Sequence, residues 1–518
     1  MNKVLANSSR TFKSIKNTQI ALCFYVINLL LQFYSRKIFL DYLGSEVLGL
    51  NTTAQNLLGF LNLAELGIGG AVAYNLYKPL YEKNKQIIND IVSIQGWLYR
   101  RIAYIIIAAS CVLMFFFPVI FEKAKLPLWY TYGSYVALLS SSLLGYFVNY
   151  KQIVLSADQK EYKITISVQG VKVVKIIFQI LAIRFLYDGY LYWILLELLM
   201  AVATSVVLNV IIKKEYPWLN PVLSDGYKLQ KCYPEIMKKT KQLFFHKIGS
   251  FVLSQTSPII IYAYASLSLV AIYGNYMLIV GGATALVGAL LNSIGAGIGN
   301  LVVSENLIHV KTFFWELTTL KTWTASIICF GIYFLGHSFI ILWVGEEYIL
   351  PQSSFVILIV ITFISLSRTN DSFLAAYGLY QDVYAPLVEA ALNLGLSIFL
   401  GYHYGLTGIL CGVLISLLIV VVGWKPYFLY RYGFKCSVKE YIIKQLKYIV
   451  IIIGTFFLFE SLQQVVWKEI QINNFRDWIK YGGSIISIYS VLTFGLFYIA
   501  DRGMRDFVLR LRRYLCSK

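Results

Sequence analysis

The 518-residue sequence has little charge: only 14% of its residues are Asp, Glu, Lys or Arg, whereas soluble proteins carry about a quarter. Histidine and cysteine are scarce, with four and seven copies, and no two cysteines have the C-x-x-C spacing of zinc or redox sites. The phosphate-binding motif G-x-x-x-x-G-K-[ST] is missing as well. These absences exclude an ordinary soluble fold and argue against a metal centre, a disulfide framework or ATP hydrolysis, so we expect no metal and no cofactor.

Apolar residues are abundant instead, at 58% of the chain and a mean hydropathy of +0.66. They form about fourteen runs, each near the roughly 20 residues that a helix needs to cross the ~30 Å hydrocarbon core of a membrane. We therefore predict an all-α polytopic membrane protein with about 14 transmembrane helices. The predicted spans are residues 18–43, 47–76, 97–121, 128–150, 164–186, 190–212, 243–264, 269–302, 322–345, 352–377, 384–402, 406–430, 441–461 and 480–500.

The net charge of +19 comes from 45 basic and 26 acidic residues. With both termini in the cytoplasm, 34 of the basic residues fall on inner segments and eight on outer segments. Only Lys172, Lys175 and Arg368 remain inside spans. This asymmetry follows the positive-inside rule and predicts a multi-pass membrane protein with both termini in the cytoplasm. Anionic membrane lipids account for the basic surface, and we expect no nucleic-acid partner.

An internal repeat predicts the domain organisation. Residues 43–70 and 265–300 share a layout of helix end, small turn and Gly-rich helix, about 222 residues apart. A parallel repeat of this kind predicts two six-helix bundles around a central cavity, with two extra C-terminal helices. The predicted divisions are an N-terminal bundle (1–212), a cytoplasmic linker (213–240), a C-terminal bundle (241–435), helices 13 and 14 (436–500) and a basic cytoplasmic tail (501–518).

Six short motifs occur along the chain, at residues 36–39, 43–51, 64–69, 155–162, 272–276 and 299–305. In these motifs the sequence resembles the polysaccharide-biosynthesis flippases (Wzx type) of the multidrug/oligosaccharidyl-lipid/polysaccharide (MOP) exporter superfamily. The resemblance implies a transporter of the bacterial inner (plasma) membrane and not an enzyme. It would flip undecaprenyl-diphosphate-linked oligosaccharide repeat units from the cytoplasmic to the outer leaflet by alternating access, for O-antigen or other surface polysaccharide biosynthesis. Polysaccharide polymerase or ligase machinery is the implied protein partner.

Three alternatives stay open. A flippase for the peptidoglycan precursor lipid II could share both fold and mechanism. A multidrug exporter of the same superfamily would favour an acidic or apolar cavity. A membrane glycan polymerase, which is an enzyme, generally needs sizeable outer loops, and the largest outer gap here is only about residues 462–479.

Polar residues inside spans are the candidates for a substrate cavity, because charges in a span usually face an interior. At about 100° per residue, four of them would share one face of helix 2, and helix 5 carries a basic stripe. Either stripe has a plainer interpretation, as contacts between helices or as lysines that reach the headgroups. The helix 2 candidates are Asn51, Gln55, Asn62 and Glu65, and those of helix 5 are Lys172, Lys175 and Gln179.

Three further helices carry candidates. Arg36, late in helix 1, is a candidate for phosphate binding or an anchor at the membrane surface. Arg368 and Asp371 on helix 10 form either a structural intrahelical pair or a gate that opens. Glu65, Asp371 and Glu389 are candidates for ion coupling, with the membrane potential, protons or sodium as the possible energy sources.

Overall fold

The computed structural model describes residues 2–65, 67–304, 306–379, 384–466 and 472–516, and these are almost entirely helical. Leu66 and Glu305, which belong to two of the family motifs, lie outside the described residues. The long helices, together with the short helix α11, are α1 (Asn2–Leu61), α2 (Ile68–Glu82), α3 (Lys85–Phe115), α4 (Leu128–Phe147), α5 (Glu161–Phe185), α6 (Gly189–Glu215), α7 (Pro234–Tyr264), α8 (Leu267–Ser304), α9 (Leu307–Trp343), α10 (Gln352–Ser367), α11 (Asn370–Ala376), α12 (Tyr384–Leu417), α13 (Lys439–Val466), α14 (Phe475–Ala500) and α15 (Arg502–Cys516).

Shorter helical turns join the long helices. They are the α-helical turns Phe117–Ile120, Ile153–Ala157, Gly226–Cys232 and Lys425–Phe428, the 3₁₀ turns Asn62–Glu65, Asn149–Gln152, Leu223–Asp225 and Glu346–Tyr348, and the π-helical segments Leu418–Trp424 and Leu429–Gly433. The chain divides into two compact units, Met1–Ala271 and Ile272–Lys518.

Ten helical segments in the described residues are long and apolar enough to cross a membrane. This confirms an all-helical polytopic membrane protein. Two of the ten contain a sharp kink at a glycine with positive φ, Gly44 (φ 81°) and Gly405 (φ 57°). A residue with a Cβ rarely adopts this conformation, so glycine is favoured at both kinks.

The core of the first unit lies where α1 packs on α5 and α5 packs on α6. Residues on both sides of the Gly44 kink enter it, because Ile38, Phe39 and Val47 are all buried with Ile176 and Tyr190. The apolar side chains of this unit thus hold α5 and α6 at fixed positions beside α1.

The prediction of one continuous span over residues 47–76 is wrong. The helix ends at Leu61, Asn62–Glu65 form a 3₁₀ turn, and Gly67 has φ 99° before α2 begins. A Cβ on Gly67 would come within 2.7 Å of the Thr240 carbonyl oxygen, so the break also allows a close approach of α7. Asn62 and Glu65 therefore do not continue the helical face that carries Asn51.

The motif at residues 155–162 forms a polar contact with the end of α6. The Lys160 ammonium lies 2.8 Å from Asp158 and 2.9 Å from Glu215, and Tyr216 donates a hydrogen bond to Asp158. Burial lowers the pKa of Lys160, but the hydrogen bonds to Asp158 and Glu215 outweigh it, so this pKa is raised. The motif thus has a structural role in fixing the turn before α5.

In the second unit, α9 packs against α10, α14 and α15. Its aromatic core includes Phe314, Phe373, Tyr430 and Phe434, all nearly inaccessible to solvent. The predicted basic tail forms the helix α15. Its Arg510 pairs at 3.0 Å with Glu316 of α9, whose side chain is 5% exposed.

Helix 10 is also broken where the sequence predicts one continuous span over residues 352–377. Helix α10 ends at Ser367, Arg368 has the non-helical ψ of 109°, and α11 starts only at Asn370. Two π-helical segments follow α12, and such segments frequently occur at functional sites. The backbone irregularities of this unit therefore lie close in sequence to Arg368 and Lys425.

Candidate functional site

The basic stripe of the first unit lies on one continuous helix, as predicted, since α5 runs without a break from Glu161 to Phe185. The ammonium of Lys175 lies 2.7 Å from Oε1 of Glu197 on α6. Gln179 donates a hydrogen bond of 3.1 Å to the other oxygen of the same carboxylate. Because the Glu197 side chain is only 9% exposed, its charge depends on these two partners.

Lys172, near the middle of α5, has a different environment. It interacts with the charges of Lys175 and of the already paired Glu197. Among the described residues, however, no carboxylate lies within 4.0 Å of its ammonium, and no hydrogen bond to it is formed. One turn earlier, Gln169 accepts a hydrogen bond of 3.2 Å from Asn28 on α1. Lys172 thus carries a positive charge with no negative partner within reach in the described structure.

The four candidates of helix 2 do not share one face, and only Asn62 and Glu65, in the same 3₁₀ turn, lie in a common environment. Asn51 is buried and accepts a 2.8 Å hydrogen bond from Tyr190 of α6, whereas the side chain of Gln55 is exposed. In the 3₁₀ turn, Tyr99 of α3 donates a 2.7 Å hydrogen bond to Glu65.

Asn62, in the same turn, accepts hydrogen bonds from Ser142 at 3.2 Å and from Tyr146 at 3.0 Å, both on α4. Three of the four candidates of helix 2 thus make contacts between helices, which favours the plainer interpretation of Asn51, Asn62 and Glu65. Gln55 alone has an exposed side chain.

Arg36 lies eight residues before the Gly44 kink in α1. Its guanidinium donates a 3.0 Å hydrogen bond to the carbonyl oxygen of Ala271 in α8. Nearby, the Ser45 and Ser268 hydroxyls are 3.0 Å apart, and any side chain at Gly49 would collide with the backbone of Leu267. Arg36 therefore helps to hold the first turn of α8, at Ala271, close to the kink in α1.

The second unit contains a polar cluster at the break between α10 and α11. Asp371 accepts from the Arg368 Nε at 2.7 Å and from the Lys425 ammonium at 2.8 Å. The ammonium of Lys321 on α9 donates a 2.8 Å hydrogen bond to the carbonyl oxygen of Arg368, which the end of the helix leaves without a helical partner. Two cations thus pair with one carboxylate, and a third, Lys321, interacts with its charge from nearby.

Sequence reasoning found Arg368 and Asp371 but missed Lys321 and Lys425. The charge asymmetry assigns both lysines to inner segments, because the predicted spans begin or end near them. In the structure, Lys321 lies well inside the 37-residue helix α9, and Lys425 lies inside the candidate span Tyr384–Gly433. In both cases the sequence signal was a lysine with apolar residues before and after it.

Glu389 and Asn393 lie one turn apart on α12, and both side chains are buried. In the described part of the chain, Oε1 of Glu389 and both polar atoms of the Asn393 amide have no hydrogen-bond partner. Buried polar atoms normally have partners, so three such atoms together suit a small cation, a proton or a water molecule. This supports keeping Glu389 as a candidate for ion coupling.

Loss of the negative charge at Asp371 should destabilise the second unit. We expect the substitution Asp371→Asn to lower the free energy of unfolding by about 1–2 kcal/mol, because Arg368 and Lys425 lose a charged acceptor while the side chain is partly exposed. Thermal unfolding in detergent measures this effect. The matched control is Asp41→Asn, because Asp41 has a similar exposure but pairs with a single cation, Lys37, at 3.8 Å, and should contribute little. Equal effects of the two substitutions would contradict the assignment.

Two solved transporters have a similar structure. "Lipid II flippase MurJ, inward closed conformation" matches with a TM-score of 0.63 and 14% identity, over 94% of this chain and 100% of that chain. An inward-facing multidrug resistance MATE family transporter of the MOP superfamily matches with a TM-score of 0.60 and 13% identity, over 81% of this chain and 99% of that chain. The chain shares the fold of these two transporters. No protein-family model and no curated protein matches the sequence.

The two similar structures are transporters, in agreement with the prediction that this chain is not an enzyme. At 13–14% identity they show the fold alone. The cargo has to be inferred from the residues of this chain.

Proposed function

We propose that this protein is a flippase for undecaprenyl-diphosphate-linked oligosaccharide repeat units in surface polysaccharide biosynthesis. One observation carries the proposal. Lys172 lies in the middle of a candidate membrane span, and no carboxylate is within ion-pair distance of it in the described structure. An unpaired charge in a span is costly, so it calls for an aqueous or anionic environment. The diphosphate of the cargo would supply the missing negative charge.

The excess of cations supports an anionic cargo. In the first unit two lysines, Lys172 and Lys175, lie near a single carboxylate, Glu197, which pairs with Lys175. In the second unit Asp371 pairs with Arg368 and Lys425, and Lys321 adds a third positive charge beside them. An exporter of cationic drugs would need the opposite sign of charge. This disfavours the multidrug alternative, although such a transporter shares the fold.

Lipid II is the strongest alternative cargo, because it also carries a polyprenyl diphosphate and the similar MurJ structure is named as its flippase. The polar side chains available for sugars do not separate the two glycans. We therefore propose a diphosphate-linked glycan as the general class of cargo, and a surface-polysaccharide repeat unit as the specific one. Fourteen membrane-crossing helices, cytoplasmic termini, an inner-membrane location and transport by alternating access belong to the same proposal.

The charge of the cargo suggests the membrane potential as the energy source. A diphosphate of charge about −2 that moves outward follows an inside-negative potential, worth roughly 4–5 kcal/mol at 100 mV. Of the three candidates for ion coupling, Glu389 has a buried oxygen without a partner, while Glu65 and Asp371 are each bonded to named partners. Proton or sodium antiport would therefore involve Glu389 before the other two.

A proteoliposome assay tests the proposal. A labelled polyprenyl-diphosphate oligosaccharide is placed in both leaflets, and an impermeant reagent then reports how fast the protected pool becomes accessible. We expect rapid exposure of this lipid, slower exposure of its monophosphate analogue and no transport of a cationic dye. Dye transport without glycan flipping would contradict the proposal, and faster flipping of lipid II would favour that cargo. Undiminished net flipping with the potential clamped at zero would exclude the electrical energy source.

A further inference from the structure

A cavity of about 550 Å³ lies at the turn between the second π-helical segment and α13. It is lined by Tyr427, Tyr430, Arg431 and Lys435, followed by residues 436–438. Its volume falls within the usual range for small-ligand sites, roughly 300–1,000 Å³. The proposed flipping mechanism does not use these residues.

Tyr430 supplies an unpartnered polar group at this cavity. Its side chain is completely buried, and its ring packs against Phe314, Phe434 and Tyr441. Its hydroxyl nevertheless has no hydrogen-bond partner in the described residues. Buried tyrosine hydroxyls usually have a partner, and because Tyr430 is one of the residues that line the cavity, a ligand that displaces the side chains covering this hydroxyl could accept its hydrogen bond.

The charges around the cavity are mainly positive. Glu440 is the acidic residue closest in sequence, and its two oxygens pair with Lys311 at 2.9 Å and Lys444 at 3.4 Å. Arg431 and Lys435 have no carboxylate partner among the residues that the structure describes. Lys435 has a φ of 52°, a conformation that is uncommon for a residue with a side chain and recurs at functional sites. The cavity thus has two cations available for an anion.

The backbone adds to the positive electrostatic potential of the cavity. Helix α13 begins at Lys439, directly after the lining residues 436–438, and Ser437 Oγ accepts a 3.3 Å hydrogen bond from the Lys439 amide. The first amides of a helix carry partial positive charge and favour a phosphate. An arginine fork, an ammonium, a phenol and a helix start together make a site suited to phosphate oxygens.

We propose that this cavity binds the phosphate group of an anionic phospholipid headgroup, at a site separate from the flipped cargo. A lipid is favoured over free phosphate because the cavity lies between the end of the candidate span Tyr384–Gly433 and the start of Lys439–Leu462. Two spans that meet here place the turn at the membrane surface. The exposed rings of Tyr427 and Tyr432 beside it are typical of that interface.

Lipid titrations of the purified full-length protein test this proposal. Thermal unfolding in neutral detergent is followed while phosphatidylglycerol or phosphatidylcholine is added, and native mass spectrometry counts the bound lipids. We expect a larger rise in Tm with phosphatidylglycerol, with half-saturation about tenfold weaker in Arg431→Ala and about fivefold weaker in Tyr430→Phe. The matched control is Lys78→Ala, which removes one charge from a side chain that is 83% exposed in the other unit and should leave the titration unchanged.

Tyr430→Phe keeps the buried ring and removes only the hydroxyl, so it separates lipid binding from folding. Wild-type phosphatidylglycerol binding in both Tyr430→Phe and Arg431→Ala would overturn the site. An equal loss of phosphatidylglycerol binding in Lys78→Ala would mean that the effect comes from general surface charge, and it would also overturn the proposed site. Inorganic phosphate that stabilises the protein as strongly as the lipid would overturn the assignment to a lipid. The flipping assay does not enter this test, so failure of one proposal leaves the other standing.

Discussion

Replacement of Lys172 by alanine is expected to slow flipping of the diphosphate-linked glycan at least tenfold. A hydrogen bond to a charged group contributes about 1.5–3 kcal/mol, which corresponds to roughly tenfold to more than a hundredfold in binding. The stability of the protein should not fall, because the Lys172 ammonium has no partner in the described structure that would be left unpaired. Initial flipping rates in proteoliposomes at equal protein content measure the effect.

Two controls sharpen this prediction. Lys172→Arg keeps the charge and should retain most of the rate, whereas Lys172→Gln keeps a polar side chain and should not. Lys78→Ala removes an exposed lysine of the same unit and should leave flipping unchanged. Full flipping by Lys172→Ala would mean that this lysine only extends toward the headgroups, and the proposal would lose the observation that carries it.

The basic stripe on α5 was predictable from sequence, because a helix without a break keeps a fixed angle per residue. The stripe on helix 2 was not predictable, because the same rotation per residue was assumed through residues 62–67, as for an uninterrupted helix. There the chain forms a 3₁₀ turn and a left-handed glycine, and α7 approaches Gly67 closely. Contacts between distant segments decide such a break, and a local periodicity does not contain them.

The cluster in the second unit shows the same limit. The spacing of Arg368 and Asp371 was visible in the sequence, but Lys321 and Lys425 come from helices 47 and 54 residues away from their partners. Hydropathy alone placed both lysines at the ends of spans. The helical membrane fold itself was predictable, because long apolar runs leave few other solutions in a bilayer.

Lys175 lies one turn from Lys172, yet its replacement should lower the stability of the protein, which replacement of Lys172 should not. We expect Lys175→Ala to lower the free energy of unfolding by about 3–5 kcal/mol, because it leaves Glu197 as a buried charge without its cation. Adding Glu197→Gln removes that charge and should restore most of the stability. Gln179, which already donates to this side chain, remains available as a hydrogen-bond partner.

The rescued double variant also separates support from cargo binding. In the native protein the Lys175 charge is neutralised by Glu197, so the pair presents little net charge to a diphosphate. Lys175→Ala with Glu197→Gln should therefore flip the glycan within about threefold of the wild-type rate, well short of a tenfold loss. Thermal unfolding and flipping of the same preparation measure both properties. A double variant that is stable but does not flip would show that Lys175 leaves Glu197 and contacts the cargo itself during transport.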